Sequence, residues 1–252
     1  MQRRTVVFLG PTLRREEAEE CLGAIYRPPA EQGDIVRAVR DLQAEIVVLI
    51  DGAFAKVPAV RHKEILWALS RGTRVYGAAS MGALRAAELH SYGMDGHGLI
   101  YRWYRATLLA DDDDVAVAMM PSELGAQALS EALIDIRLTL RRAERRGLIS
   151  NEFRRHLEGA ARTLHFVDRT YANLFDSALR SLPDEERSAI ETLRRWAERH
   201  AVQQKRDDAL SLLRHLAAGS SISETRGSTS FQMTESWAAD LDAAGLYLDD
   251  IL

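Results

Sequence analysis

The sequence predicts an α/β protein: a mainly parallel sheet with flanking helices in the N-terminal half, followed by an α-helical C-terminal region. Three observations predict it. Residues 5–9 (TVVFL) and 46–50 (IVVLI) are short continuous apolar runs rich in β-branched side chains, each stopped by turn residues, Gly10-Pro11 and Asp51-Gly52. Such runs read as strands buried on both faces. Between and after them lie short segments with apolar residues at helical spacing, so strand and helix alternate. From about residue 121 onward the strand signal gives way to almost continuous helical pattern.

The first strand, residues 5–9, is followed by a short charged helix over 14–22. The segment R27-P-P-A-E-Q-G-D34 resets the chain before a helix with Ile35, Val39 and Leu42 on one side. The 46–50 run is the strongest strand. After Pro58 a helix is expected over 60–70, with Ile65, Leu66 and Leu69 inward and Gly72 just beyond its end. Residues 74–78 form the next strand, and right-handed crossovers place Asp51 and Ser80 at the same carboxyl edge of the sheet. Further on, residues 124–146, 151–182 and 183–216 read as helices, with Pro183 as a first-turn proline. Residues 219–230, rich in Ser, Thr and Gly, read as a loop before a last helix near 235–244. The domain boundary is expected near residue 120: an α/β core over 1–120 and an α-helical domain over 121–252.

Composition narrows the function. The chain has 252 residues, 46% of them hydrophobic, and 33 Lys+Arg against 37 Asp+Glu, a formal net charge of -4. That balance argues for no nucleic-acid partner and no anionic membrane surface. One cysteine, Cys21, excludes an intrachain disulfide framework. No stretch approaches the roughly 20 apolar residues that span a bilayer, and the N-terminal apolar run is too short for a signal sequence. A cytoplasmic protein is expected, and no residue pattern asks for a cofactor: the turn F8-L-G-P-T-L13 lacks G-x-x-x-x-G-K-[ST], and no G-x-G-x-x-G occurs.

The chemistry concentrates in Y76-G-A-A-S-M-G-A-L-R-A-A-E-L89. A-x-S-x-G at a strand-to-helix turn is a relaxed nucleophile elbow, in which the hydroxyl is exposed and the following amide points at a developing oxyanion. Ser80 is then the nucleophile, with the Met81 amide as one oxyanion donor and the Gly52 amide, at the neighbouring strand end, as the second. A serine at a helix start also serves simply as an N-cap. The string A-A-S-M-G-A together with Gly52 resembles the nucleophile and oxyanion turns of the Clp protease subunit.

Serine needs a base. His62 and Lys63, opening the helix R61-H-K-E-I-L, are the nearest candidates; the alternative is a solvated basic first turn, although cations are disfavoured there. His90 and His97 are further alternatives. Asp51 is a candidate to orient the base, and Arg85, Glu88 and Phe54 are candidates for substrate binding, with a plain Arg85–Glu88 ion pair as the alternative. The run 111–114 is four acids whose simplest use is to cap the following segment; no metal is expected. Arg141-Arg142 and Arg145-Arg146 form a basic stripe, solvated or docking an acidic partner.

The ordered strings F8-L-G-P, P28-P-A-E-Q-G-D-I35, I50-D-G-A-F54, P58-A-V-R-H-K-E-I-L66, the Ser80 segment, D113-D-V-A-V117 and S130-E-A-L-I-D-I-R137 resemble the TfuA-like family over about residues 6–140. Arg61, Asp113 and A118-M-M-P depart from its pattern. The resemblance implies a role beside a YcaO enzyme in thioamidation of ribosomally synthesised peptides (RiPP biosynthesis), with a YcaO protein, a thiocarboxylated sulfur-carrier protein and a precursor peptide as partners. It implies sulfur transfer by thioacid hydrolysis, which a serine hydrolase can run; the alternatives are a non-catalytic scaffold or activator of the YcaO enzyme, and a stand-alone esterase or peptidase.

Overall fold

The computed structural model describes residues 3–53, 57–107, 111–181, 184–219 and 231–247. Five parallel strands, β1 (Thr5–Phe8), β2 (Ile25–Arg27), β3 (Ile46–Leu49), β4 (Arg74–Ala78) and β5 (Asp95–His97), form one sheet in the order β2-β1-β3-β4-β5. The connecting helices are α1 (Arg15–Glu19), α2 (Asp34–Arg40), α3 (His62–Ser70) and α4 (Met81–Leu89), with α5 (Gly98–Ala106) after β5. The α/β class read from the sequence is the observed one. Sequence reading found β1, β3 and β4 but neither β2 nor β5, which are three-residue edge strands with no continuous apolar run.

Period-two alternation explains why the three central strands look uniformly apolar. Val6, Phe8, Val47, Leu49 and Val75 face a cluster that holds Ile35, Ile65, Trp67 and Ala86 of α2, α3 and α4. Val7, Val48, Ile50, Tyr76 and Ala78 face a second cluster, with Leu13, Ala18 and Tyr26. Both faces are therefore buried, and each fully buried aliphatic side chain contributes roughly 1.5–3 kcal/mol.

Helices α6 (Leu133–Arg145), α7 (Asn151–Thr163), α8 (Tyr171–Ser181), α9 (Asp184–His200), α10 (Gln204–Ala217) and α11 (Glu235–Ala243) follow. The helix expected from residue 124 starts at Leu133, because Gly125 and Ala126 both take positive φ, at 93° and 50°, and break the helical path. The helix expected over 151–182 is interrupted by a short 3-10 turn at Phe166–Asp168. Pro183 and residues 220–230 of the expected loop lie outside the described residues.

The chain divides into two compact units, residues 1–108 with 206–252, and residues 109–205. A sequence boundary near 120 assigns every later helix to one domain, whereas α10 and α11 pack in the sheet unit. Ala209, Leu210, Leu212 and Leu213 of α10 lie in the same cluster as Val48 and Tyr76, and Trp237 and Leu241 of α11 in that of Val47 and Trp67. The helical unit is built by α6 to α9 around Leu140, Phe153, Leu157, Phe175 and Leu193. Its buried Arg169 donates to the carbonyls of Ala161 and Leu164 and pairs with Asp113.

Candidate functional site

At the end of β4 the chain turns over very few atoms. Ser80 N–H donates to the Ala78 carbonyl at 2.8 Å, closing a three-residue turn about Ala79. Ala79 takes φ +68°, a conformation that costs a residue with a Cβ about 1 kcal/mol. Ser80 follows as the N-cap of α4, and its carbonyl accepts from Ala83 and Leu84 at 2.9 and 3.3 Å. Its hydroxyl makes no capping bond. Half-buried, that hydroxyl has no hydrogen-bond partner among the described residues.

The start of α4 is wedged against the sheet, which glycine alone permits. A Cβ on Gly82 would stand 1.7 Å from the Leu49 carbonyl oxygen, and one on Gly77 would stand 2.0 Å from the Gly82 carbonyl oxygen. The Gly82 N–H donates to Ile50 at 3.2 Å, tying the helix to the end of β3. A Cβ on Gly52 would meet Met81 Sδ at 2.2 Å, so the Met81 side chain lies directly over Gly52. Among the described residues the N–H groups of Gly52 and Met81 donate to no protein acceptor. The turn is thus a hydroxyl, two unspent amides and little else.

Asp51 is spent elsewhere. Only 1% exposed, its carboxylate accepts from Gly10 N–H at 2.9 Å, Thr12 N–H at 3.1 Å and the Thr12 hydroxyl at 2.6 Å. It thereby ties the turn after β1 to the end of β3, and no histidine or lysine among the described residues pairs with it.

Three candidates singled out separately in the sequence come together. His62 Nε2 lies 2.8 Å from Glu88 Oε2, Arg85 donates to the same carboxylate oxygen at 2.7 Å, and Arg85 Nε donates to the Val60 carbonyl at 3.2 Å. This partly exposed cluster joins the start of α3 to the last turn of α4. Burial raises the Glu88 pKa, but hydrogen bonds from His62 and Arg85 outweigh it and hold the carboxyl below its ordinary value. Lys63 turns away, donating to the Gln232 carbonyl at 3.3 Å with its ammonium 5.5 Å from the Phe231 ring centre. Phe54 lies outside the described residues.

His97, an alternative base in the sequence, lies in a second polar group at the edge whose α10 members the sequence did not point to. His97 ends β5, where it pairs in register with Ala78, and its Nε2 lies 2.8 Å from Ser211 Oγ of α10. The His215 ring stands 5.5 Å away, with its buried Nε2 unpartnered. Asp208, 4% exposed, accepts from Leu99 and Ile100 N–H at 2.9 and 2.8 Å and so caps α5. Burial lowers the His97 pKa below its ordinary value, as do the neighbouring His215 and Arg102, against an opposing pull from Asp208. Asp208, Ser211 and His215 recur at helical spacing, so their shared face was legible; their partner, more than a hundred residues earlier, was not. His90, the other alternative, accepts or donates at 2.8 Å with the Tyr101 hydroxyl.

Three of the four acids at 111–114 are drawn into ion pairs: Asp111 with Arg162 at 2.5 Å, Asp113 with Arg169, and Asp114 with Arg137 at 2.8 Å. Among the described residues no group of three His, Cys, Asp or Glu side chains is arranged to hold a metal ion. Of the described helices, none is long and apolar enough to cross a membrane.

The chain is an α/β protein with a half-buried serine at the carboxyl edge of a parallel sheet, at the entry to a glycine-packed helix; open sheets of this class bind ligands at that edge. Residues 51–170 match the model of the TfuA-like protein family, so this stretch carries a TfuA-like domain. The family is linked to YcaO-associated processing. No curated protein matches the chain.

Proposed function

We propose that this protein serves a YcaO enzyme in forming backbone thioamides, releasing sulfide in the cytoplasm by hydrolysis of a thiocarboxylated sulfur-carrier protein with Ser80 as nucleophile. One observation supports this reading most: the Ser80 hydroxyl is unpartnered among the described residues at a strained strand-to-helix turn, while the Met81 and Gly52 amides nearby are also unspent. A free hydroxyl and two free amides at one turn are the groups that acyl transfer asks for, a nucleophile and donors for an oxyanion. Ser80 Oγ adds to the thioacid carbonyl carbon, the two amides receive the oxyanion, and the C–S bond breaks with loss of sulfide. Water then adds to the acyl-serine and frees the carrier as its carboxylate. His62, Arg85 and Glu88 form a charged lip suited to holding the carrier's C-terminal segment; Asp51 holds the adjoining turn in shape rather than touching substrate.

Purified protein mixed with a thiocarboxylated carrier should release sulfide, trapped with monobromobimane, and Ser80→Ala should lower the rate about 1000-fold or more. Undiminished release from that variant sinks the reading.

A second reading, a non-catalytic scaffold or activator of the YcaO enzyme and its precursor peptide, is favoured by the helical unit of residues 109–205, which carries none of the candidate catalytic residues and bears exposed Arg141, Arg145 and Arg146. Added inorganic sulfide separates the two. If sulfide replaces the protein fully in thioamide formation, supply is its role; if thioamide formation still requires the protein, docking is.

A further inference from the structure

The Ser80 hydroxyl cannot attack without a group to take its proton, and most candidates near the edge are already engaged. Lys63 is bound to the Gln232 carbonyl and Asp51 to the turn after β1, and His62 meets Glu88, which lies eight residues and so about 12 Å along α4 from Ser80. Resting on the reading of Ser80 as nucleophile, we infer that His97 is its general base, presented at the carboxyl edge by β5 and held from behind by Ser211.

Topology supports this. β5 is the strand next to β4, and His97 pairs with Ala78, two residues before Ser80. Neighbouring strands lie about 4.8 Å apart, so the histidine backbone is one strand spacing from the turn that carries the hydroxyl. The His97 ring belongs to the sheet face that also buries Ala78 and Ala79, since it meets Ser211 of α10, whose apolar residues cover that face.

The ring is also in the right state. In the tautomer whose Nε2–H donates to Ser211 Oγ, Nδ1 carries the lone pair, and among the described residues Nδ1 has no partner. Burial, His215 on α10 and Arg102 on α5 all disfavour the imidazolium, and only Asp208 favours it. The neutral, proton-accepting form therefore dominates at pH 7. The corner is tightly packed, because Asp208 accepts from two N–H groups in the first turn of α5 and a Cβ on Gly98 would stand 2.3 Å from the Asp208 carboxyl carbon.

In the first step the Ser80 proton passes to His97 Nδ1 as the Oγ–C bond forms, and the proton returns to the departing sulfide as the C–S bond breaks. In the second, water gives a proton to His97 as it adds to the acyl-serine, and His97 returns that proton to Ser80 Oγ. His97 ends unchanged, and the thioacid and water become carboxylic acid and hydrogen sulfide. Ser211 is a positioning residue.

The test is the rate at which a fluorophosphonate probe labels Ser80 in the full chain, mapped by peptide mass, across pH 5–8. The wild type should be labelled at Ser80 with a rate that rises to a plateau around a midpoint below the ordinary histidine value of about 6.5. His97→Ala and His97→Gln should both lose about 100-fold, with the Gln variant melting as the wild type does. Ser211→Ala should retain labelling but move the midpoint lower, because an acceptor for the imidazolium is gone. Labelling of His97→Ala at the wild-type rate, or a loss confined to His62→Ala, overturns the assignment of the base while leaving Ser80 as nucleophile. Failure of the wild type to be labelled at any pH overturns the nucleophile and the base together.

Discussion

The carboxyl edge of one sheet is treated in two opposite ways along its length. Beyond β1 and β3, Asp51 is almost wholly buried and accepts three hydrogen bonds, so its polar atoms are consumed by the fold. Beyond β4 and β5, the Ser80 hydroxyl and the Met81 amide have no protein acceptor or donor among the described residues, and His215 keeps a buried nitrogen unpartnered. Both stretches carry polar residues at strand ends in a parallel sheet. The difference teaches that position at the edge does not identify a reactive group; whether its hydrogen-bonding capacity has been spent does. Asp51 is a candidate for the chemistry from its place in the sequence, and all three of its hydrogen bonds go to the turn after β1.

If Asp51 is an anchor, removing it must damage the fold. Asp51→Ala leaves two backbone N–H groups and a threonine hydroxyl without their acceptor, and should destabilise the sheet unit by about 4 kcal/mol, read from urea midpoints. A variant as stable as the wild type would break the comparison.

A second buried carboxylate sharpens it through pH. Glu64, 2% exposed, accepts from Arg61, Gly33 and Ile35 N–H at 2.7, 3.0 and 3.2 Å and so pins the starts of α2 and α3 together. Burial pushes its carboxyl up to about 7 from 4.5, against those three bonds. The folded chain therefore holds this proton more tightly than the unfolded one. Its contribution is complete below about pH 4.5, falls as pH rises, and is gone above about 7, a loss of about 3 kcal/mol. Asp135 in the helical unit, also raised to about 7, titrates in the same direction. Glu64→Gln should flatten the Glu64 share of the slope, and an unchanged slope would count against it.

The smallest effect is expected at Ser80. Its hydroxyl caps nothing, so Ser80→Ala should change stability by no more than about 0.5 kcal/mol, measured by thermal unfolding. A loss of about 1 kcal/mol or more would return the serine to the role of an N-cap.

Much of the sheet was legible because burial on both faces leaves a mark that does not depend on partners. Residues 5–9, 46–50 and 74–78 announced β1, β3 and β4. I25-Y-R27 and D95-G-H97 carried no such mark, being short edge strands whose pairing is decided by their neighbours. The Ser80 turn was legible for a similar reason: glycine and alanine spacing records how closely a helix approaches a strand, and the Gly82 approach to Leu49 matches that record. The association of His62 with Arg85 and Glu88 was only half legible, since helical spacing links Arg85 to Glu88 but nothing local links either to α3.

By itself the sequence determined the alternation of strand and helix, the glycine-packed turn and the serine it carries, since these follow from side-chain period and backbone sterics within a few residues. Tertiary structure alone decided that Asp51 bonds to the turn after β1, that α10 returns to the sheet unit, and that His97 meets Ser211 at the edge beside β4. Those outcomes depend on where an amphipathic helix finds apolar surface to cover, and that surface comes from strands separated from it by most of the chain.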